Sequence, residues 1–168
     1  MQLEEGRHKF IQAWGSLGSS WGINKSMAQI HALLLSTPEG LSTDEIMERI
    51  QLSRGNVNTN LRELINWKLV RKETILGERK EFFVADHDVH SIAQHIMEER
   101  KRRELEPVRR LLQQLISTQF KGNPEEIKHF QELLKDLADF VHQMENLTNL
   151  MTKINNNNYM KKLIKALS

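Results

Sequence analysis

The chain has 168 residues, of which 39% are hydrophobic and 27% are charged, the balance of a globular protein with its own core. It contains no cysteine, which excludes disulfide frameworks, cysteine-bound metal sites and thiol nucleophiles. With 24 basic and 22 acidic residues the formal net charge is only +2. We expect a soluble, cytoplasmic protein, because no apolar run is long enough to span a bilayer and the N-terminus lacks the layout of a signal peptide.

The N-terminal region predicts two helices. Aromatic and apolar residues recur at helical spacing over residues 3–21, at Phe10, Trp14, Leu17 and Trp21. Glycines lower the helix propensity of this segment, so we expect packing to stabilise it. Asn24 can cap a second helix that runs to about Ser36.

Two short helices joined by a tight turn are predicted next. Ser42 and Glu45 have capping-box spacing and begin the first of these helices. Ser53 caps the second, whose inward-facing stripe consists of Val57, Leu61, Leu64 and Ile65. Together with the preceding helix they outline a helix-turn-helix, in which residues 53–67 form the recognition helix.

A β-hairpin is predicted directly after the recognition helix. Residues 70–75 and 81–85 are rich in β-branched and aromatic side chains, and Gly77 supplies the turn between them. A hairpin in this position is a wing, with residues 76–81 at its tip. The predicted fold class is therefore mainly α with a small β-hairpin wing, a winged helix-turn-helix over residues 24–86 with long dimerisation helices.

The chain beyond Asp86 is predicted to be almost entirely helical. Pro107 starts or kinks one helix, and from Glu125 onward apolar residues recur in steps of three and four. A last amphipathic turn is predicted from Tyr159, Met160, Leu163, Ile164 and Leu167. A small winged domain cannot bury so broad an apolar stripe, so we expect residues 1–23 and 87–168 to form a homodimer interface on the order of 2,000 Å².

The recognition helix and the wing resemble a known family. The run Leu52-Ser53-Arg54-Gly55-Asn56-Val57-Asn58-Thr59-Asn60-Leu61-Arg62-Glu63-Leu64 resembles a MarR-type recognition helix, and the match continues through residues 67–72 to the wing at 77–83. The nearest branch is that of the glycine-betaine/choline repressors (GbsR-like), which residues 14–15, 21–23 and 36–39 also fit. The resemblance covers about residues 14–85 and rests on helical character alone beyond them. It implies a homodimeric, DNA-binding transcriptional regulator whose N- and C-terminal helices form the dimer.

The polar residues of the recognition helix and the wing suit contact with double-stranded DNA. Asparagine can read adenine and arginine can read guanine, while a helix N-terminus can bind phosphate. Residues 51–80 contain seven basic and three acidic residues, a local charge of 7 − 3 = +4. The predicted contacts are Ser53, Arg54, Asn56, Asn58, Thr59 and Arg62 in the helix, and Arg79 and Lys80 at the wing. An ordinary solvated surface is the alternative, although Asn and Thr lower helix propensity and a purely structural helix has little reason to contain them.

A small-molecule effector site is a weaker hypothesis. Trp14 and Trp21 are seven residues apart and share one helix face, and aromatic faces can hold a quaternary ammonium by cation–π attraction. That is the ligand class that the GbsR-like resemblance suggests. Core packing or a dimer contact is the alternative, and the ligand stays unidentified.

Other functional classes have less support in the sequence. His87, His90 and His95, with Asp86 and Asp88, have the residue types of a metal site and of a metal-responsive regulator, but either aspartate can instead cap a helix. A winged-helix scaffold for protein interaction is a second alternative. No glycine-rich phosphate loop, zinc-protease motif or nucleophile elbow occurs, so we predict neither an enzyme nor a cofactor. The main hypothesis, which follows from the winged helix-turn-helix pattern and the resemblance to MarR-type regulators, is a homodimeric repressor that binds a pseudo-palindromic operator.

Overall fold

The computed structural model describes residues 1–20 and 22–156, and side chains as far as residue 150. Trp21 and the predicted amphipathic turn at 159–167 lie outside the described residues. The elements in chain order are helices α1 (Leu3–Ser20) and α2 (Lys25–Leu35), strand β1 (Leu41–Ser42), helices α3 (Thr43–Ile50) and α4 (Arg54–Asn66), strands β2 (Val70–Thr74) and β3 (Glu81–Ala85), helix α5 (Val89–Arg100), a π-helical turn (Lys101–Leu105), and helices α6 (Glu106–Ile116) and α7 (Pro124–Asn156).

The chain divides into two compact units, one spanning Met1–His95 and one beginning at Ile96. The first unit contains α2–β1–α3–α4–β2–β3, the order of a winged helix-turn-helix, so the predicted class of a mainly α fold with a small β wing is confirmed. Its three strands form an antiparallel sheet in the order β1-β3-β2. The short strand β1, which the sequence pattern did not predict, pairs Leu41 with Phe83.

The core of the first unit is centred on α2, which packs against α1, α4 and β3. Its largest fully buried side chains are Ile30, Leu34, Ile46, Val57, Leu61 and Leu64. Three of these belong to the predicted inward stripe of the recognition helix, so the hydrophobic period fixes which face of α4 is left for solvent. Ile65, the fourth member of that stripe, is only half-buried.

Helices α1 and α2 approach closely because glycines lie at their contact. A Cβ atom added to Gly18 would lie 2.6 Å from the Cβ of Ala28, and one added to Gly15 would lie 2.6 Å from Cγ of Gln29. Both glycines are buried. The residues that weaken α1 as an isolated helix therefore allow the packing that stabilises it.

We expect Gly18→Ala to lower the free energy of unfolding by about 1–3 kcal/mol, because the new methyl group forces α1 away from α2. This loss should exceed the gain of about 1 kcal/mol in helix propensity. Gly6→Ala is the matched control and should be neutral or stabilising, since the atom of the described residues that its Cβ would meet is the flexible Met1 Cε, at 3.7 Å. Urea denaturation of the two variants measures the difference; equal stability would contradict the close-packing argument.

The second unit is built on an α6–α7 hairpin. Leu112 of α6 packs with Leu134 and Val141 of α7, and Leu115, Phe120 and Ala138 border this cluster. Arg109 and Glu145 form an ion pair of 3.4 Å between the two helices. Pro107 lies at the start of α6 and has no N–H to donate to the carbonyl of Arg103, which accounts for the π-helical turn just before it.

The apolar stripe of α7 separates into two parallel seams. Leu134 and Val141 are buried against α6, whereas a second row remains exposed. We call this row the exposed seam; it consists of Phe130, Leu133, Leu137, Phe140, Met144 and Leu147. Its steps of three and four residues are those of the a and d positions of a coiled coil.

No helix among the described residues is both long and apolar enough to cross a membrane.

Candidate nucleic-acid interface

Helix α3 begins with the predicted capping box. The Glu45 carboxylate accepts hydrogen bonds from the backbone N–H and the hydroxyl of Ser42, at 2.8 and 2.6 Å, and Ser42 Oγ accepts one from the backbone N–H of Glu45 at 3.4 Å. These hydrogen bonds from Ser42 lower the pKa of Glu45. At the other end of α3, Gln51 adopts a left-handed conformation with φ of 57°, which makes the tight turn into α4.

Ser53 caps α4, as predicted, with its hydroxyl oxygen accepting a hydrogen bond from the backbone N–H of Asn56 at 3.3 Å. The hydroxyl hydrogen of Ser53 can still be donated to a phosphate oxygen. Arg54 is the first residue of α4, and its Nη2 donates to Oδ1 of Asp44 in the first turn of α3. The N-terminal end of the predicted recognition helix is thus bound to the helix before it.

Asn56 is exposed, and Asn60 holds its side chain in place. The Nδ2 of Asn60 donates to Oδ1 of Asn56 at 2.6 Å and to its backbone oxygen at 2.9 Å. Asn60 itself is only 7% exposed. The amide of Asn56 therefore projects from a fixed position, which suits the bidentate reading of a base edge.

The remaining predicted helix contacts differ in exposure. Thr59 and Arg62 are exposed, whereas Asn58 is half-buried and accepts a hydrogen bond from the hydroxyl of Thr43 at 3.5 Å. Arg62 lies one helical turn beyond Asn58, so the two side chains are on neighbouring parts of the same face.

The wing places Lys80 beside the N-terminal end of α4. Strands β2 and β3 pair from Val70–Ala85 to Thr74–Glu81, and Gly77 turns the chain between them with φ of 91°. Arg79 and Lys80 are exposed, as is the whole of residues 71–80. A cavity of about 270 Å³ is lined by Ser42, Thr43, Asp44, Arg54, Asn58, Lys80 and Glu81. Three predicted DNA-contacting side chains, Arg54, Asn58 and Lys80, thus face a single cavity.

Two residues of this surface were not predicted from the sequence. Asn60 belongs to the run that resembles a recognition helix, but no role was predicted for it. Its position three residues after Val57 and four before Leu64 places it on the inward stripe, a signal that could have identified it as a positioning residue. The contact of Asp44 with Arg54 joins residues ten apart across a turn, and no local pattern indicates it.

Neighbouring acidic residues compensate part of the positive charge of residues 51–80. Besides the ion pair of Arg54 with Asp44, Arg71 pairs with Glu73 at 2.8 Å, and Lys72 pairs with Glu81 across the wing. The sequence count of +4 over residues 51–80 includes Glu73 but omits Asp44 and Glu81, which lie outside that window. The positive field of the surface is therefore weaker than the count alone indicates.

Trp14, the described member of the predicted effector pair, is half-buried among aromatic side chains. Its ring centroid is 5.5 Å from that of Phe10 and 6.4 Å from that of His31. These contacts agree with the core-packing alternative for Trp14. The effector role of the pair stays a prediction, since Trp21 lies outside the described residues.

The acidic residues of the histidine-rich segment contribute to local structure. Oδ1 of Asp88 accepts hydrogen bonds from the backbone N–H groups of His90 and Ser91 and so caps α5, while Asp86 accepts one from the backbone N–H of Asp88. Hydrogen bonds from Ser91 and Asp88 lower the pKa of Asp86. Within the described ranges, no three His, Asp or Glu side chains are grouped so that they could hold a metal ion, and His87, His90 and His95 do not form such a site.

Comparisons with known proteins identify the fold. No protein-family model matches the sequence, and no curated protein matches it. A crystal structure of a transcriptional regulator is similar over 90% of this chain and 99% of its own, with 17% identity and a TM-score of 0.67. A point mutant of S. aureus MepR bound to an oligodeoxyribonucleotide is similar over 80% of this chain and 91% of its own, with 15% identity and a TM-score of only 0.42. At this identity, the first likeness shows a shared fold.

Proposed function

We propose that the chain is a DNA-binding transcriptional regulator that inserts α4 into the major groove and places the wing at the backbone or minor groove. The observation that carries this proposal is the cavity between α4 and the wing, toward which Arg54, Asn58 and Lys80 converge. Arg62 and Thr59 extend the same polar surface along α4. Recognition helices of this class contact base edges with residues near their N-terminal ends, where these side chains lie.

We further propose that the protein works as a homodimer on a pseudo-palindromic operator. The exposed seam on α7 supports this, because six large apolar side chains in coiled-coil spacing need a partner to exclude water. In a two-fold dimer, two recognition helices read half-sites about 10 base pairs apart. In this arrangement residues 24–86 bind DNA, and residues 1–23 and 87–168 contribute to the dimer.

Repression, a cytoplasmic location and the GbsR-like branch of the MarR family belong to the same proposal. Repression and the GbsR-like branch rest on the resemblance of residues 14–85 described above, whereas the cytoplasmic location rests on the lack of an apolar run long enough to span a bilayer. A dimer that occupies its operator blocks access of other proteins to that DNA. An effector would act by favouring a dimer geometry in which the recognition helices no longer match the half-site spacing.

Selection from a pool of randomised duplexes tests the proposed function, followed by fluorescence anisotropy on the selected duplex at two salt concentrations. Recovery of an inverted repeat, with binding that weakens steeply as salt rises, is the expected result. Salt-sensitive binding without a recovered motif would contradict a sequence reader and favour non-specific binding. If no duplex binds even at low salt, the protein-interaction alternative gains support.

Substitutions should separate base contacts from phosphate contacts. We expect Arg62→Ala and Asn58→Ala each to cost about 1–3 kcal/mol on the selected duplex and to relax preference at particular base pairs. Lys72→Ala should weaken binding to all duplexes about equally, because it removes a cation that also compensates the charge of the Glu81 carboxylate. Selection repeated with each variant measures the base preferences. A uniform loss from all three variants would overturn the assignment of the base-reading residues.

A further inference from the structure

The ion pair between Asp44 and Arg54 places a carboxylate inside the proposed DNA-binding surface. The two side chains are 52% and 60% exposed, respectively, and both line the cavity that Asn58 and Lys80 also face. A carboxylate in this position repels phosphate and compensates the charge of the arginine beside it. When a duplex covers the pair and excludes water, both effects become stronger, because screening by solvent is reduced.

The geometry of the contact leaves Arg54 able to read a base. A guanidinium has five N–H donors, and Asp44 engages one of them, on Nη2. The other donors remain for a bidentate contact, such as that to the O6 and N7 acceptors of guanine. Asp44 thus removes much of the attraction of Arg54 for any phosphate. The remaining N–H donors of the Arg54 guanidinium stay available for one particular base.

We propose that Asp44 is a specificity-determining positioning residue: it holds the Arg54 guanidinium at the N-terminal end of α4 and weakens binding to non-operator DNA more than binding to the operator. This inference rests on the proposed DNA-binding function. It adds a role for an acidic residue of α3 that does not itself contact a base.

The test compares Asp44→Asn with the unchanged protein on two duplexes, the selected one and a scrambled one of the same composition. Asparagine keeps the size of the side chain and removes its charge. We expect binding to the scrambled duplex to tighten about tenfold and its dependence on salt to steepen by roughly one phosphate contact. Binding to the selected duplex should change less, so discrimination between the two duplexes should fall several-fold.

Two further variants distinguish a specific contact from a general effect of charge. Glu48→Gln removes the same charge from an exposed position one turn further along α3, and it should leave discrimination unchanged. In an Arg54→Ala background, Asp44→Asn should no longer alter discrimination, because the side chain through which it acts is gone. Far-UV circular dichroism of each variant checks that the fold is retained.

The possible failures are distinguishable. If the unchanged protein shows no salt-dependent binding to any duplex, the proposed function itself is wrong. If it binds the selected duplex but Asp44→Asn keeps full discrimination, or tightens both duplexes equally, only the role of Asp44 is overturned. An equal effect of Asp44→Asn with and without Arg54 would overturn it as well.

Discussion

Phe140→Lys is expected to convert the proposed dimer into a monomer. Phe140 is 59% exposed and lies in the middle of the exposed seam on α7. In a two-fold interface each substitution occurs twice, so two unpaired ammonium groups would be placed against apolar side chains. We expect this unfavourable burial to cost the dimer about 3 kcal/mol or more. Each ~1.4 kcal/mol corresponds to a factor of ten, so the dissociation constant of the dimer should rise by roughly 100-fold or more.

Sedimentation velocity at micromolar concentration measures this change. Asn146→Lys is the matched control, because it adds the same charge at an exposed position of α7 roughly 120° around the helix from Phe140. The control protein should remain a dimer. A monomeric unchanged protein, or a Phe140→Lys protein that still dimerises, would contradict the assignment of the exposed seam.

The same variant links assembly to DNA binding. A monomer has a single recognition helix, so its affinity for an inverted repeat should fall to that for an isolated half-site. If Phe140→Lys abolishes dimerisation but leaves operator affinity unchanged, the chain reads DNA as a monomer. The oligomeric state and the DNA contact are therefore tested separately.

The helix-turn-helix was predictable because its signals are local. The capping box of Ser42 and Glu45, the cap at Ser53 and the stripe of Val57, Leu61 and Leu64 each lie within a few residues, and the structure contains all of them. A cap satisfies backbone groups of its own helix, so it is visible in the sequence whatever the rest of the chain does. The wing was predictable for the same reason, from two β-rich runs around Gly77.

Contacts between elements were not predictable from spacing. The pairing of Arg54 with Asp44, and that of Lys72 with Glu81, depend on how helices and strands pack, which no local pattern contains. Sequence spacing also placed Phe130, Leu134, Leu137 and Val141 on one broad stripe. Only the packing of α6 divides this stripe into a buried row and an exposed row.

The polar face of α4 illustrates the same limit within a single helix. Amino-acid type marked its asparagines as unusual for a helix, but it did not distinguish a base-reading residue from a supporting one. The buried Asn60 holds Asn56, while the half-buried Asn58 contacts Thr43 of α3. If α4 binds DNA as proposed, a substitution at Asn60 should therefore alter that binding through the position of Asn56.

A buried histidine provides the last prediction. His31 lies in α2, is 2% exposed, and among the described residues its Nε2 has no hydrogen-bond partner. Burial lowers the pKa of His31 from 6.5 to about 4, and the negative charge of Asp86 opposes this shift only in part. The folded protein therefore holds His31 neutral at a pH where the unfolded chain is protonated.

We expect this difference to make stability depend on pH in the mildly acidic range. The contribution of His31 is fully present above pH 6.5, the ordinary histidine pKa, and is lost as the pH falls from there through about 4. Between those values the unfolded state binds one more proton than the folded state, so the free energy of unfolding falls by ~1.4 kcal/mol per pH unit, or about 3 kcal/mol in all. The carboxyl groups of Glu45 and Asp86, whose pKa values are lowered, lose their contributions only below their ordinary values of 4.5 and 3.8.

Urea denaturation at about pH 7 and about pH 5 isolates the contribution of the histidine, because these carboxyl groups remain largely ionised in that window. The unchanged protein should lose roughly 2 kcal/mol between the two, and His31→Leu, which fills a similar volume without a titrating group, should lose much less. His8→Gln, at an exposed position of α1, should keep the slope of the unchanged protein. The comparison is between slopes of the free energy of unfolding against pH, so a constant change in stability that leucine causes by its packing does not affect it. Equal slopes for His31→Leu and the unchanged protein would mean that His31 takes up a proton in the folded protein as readily as in the unfolded chain. In that case the core around α2 would tolerate the charge.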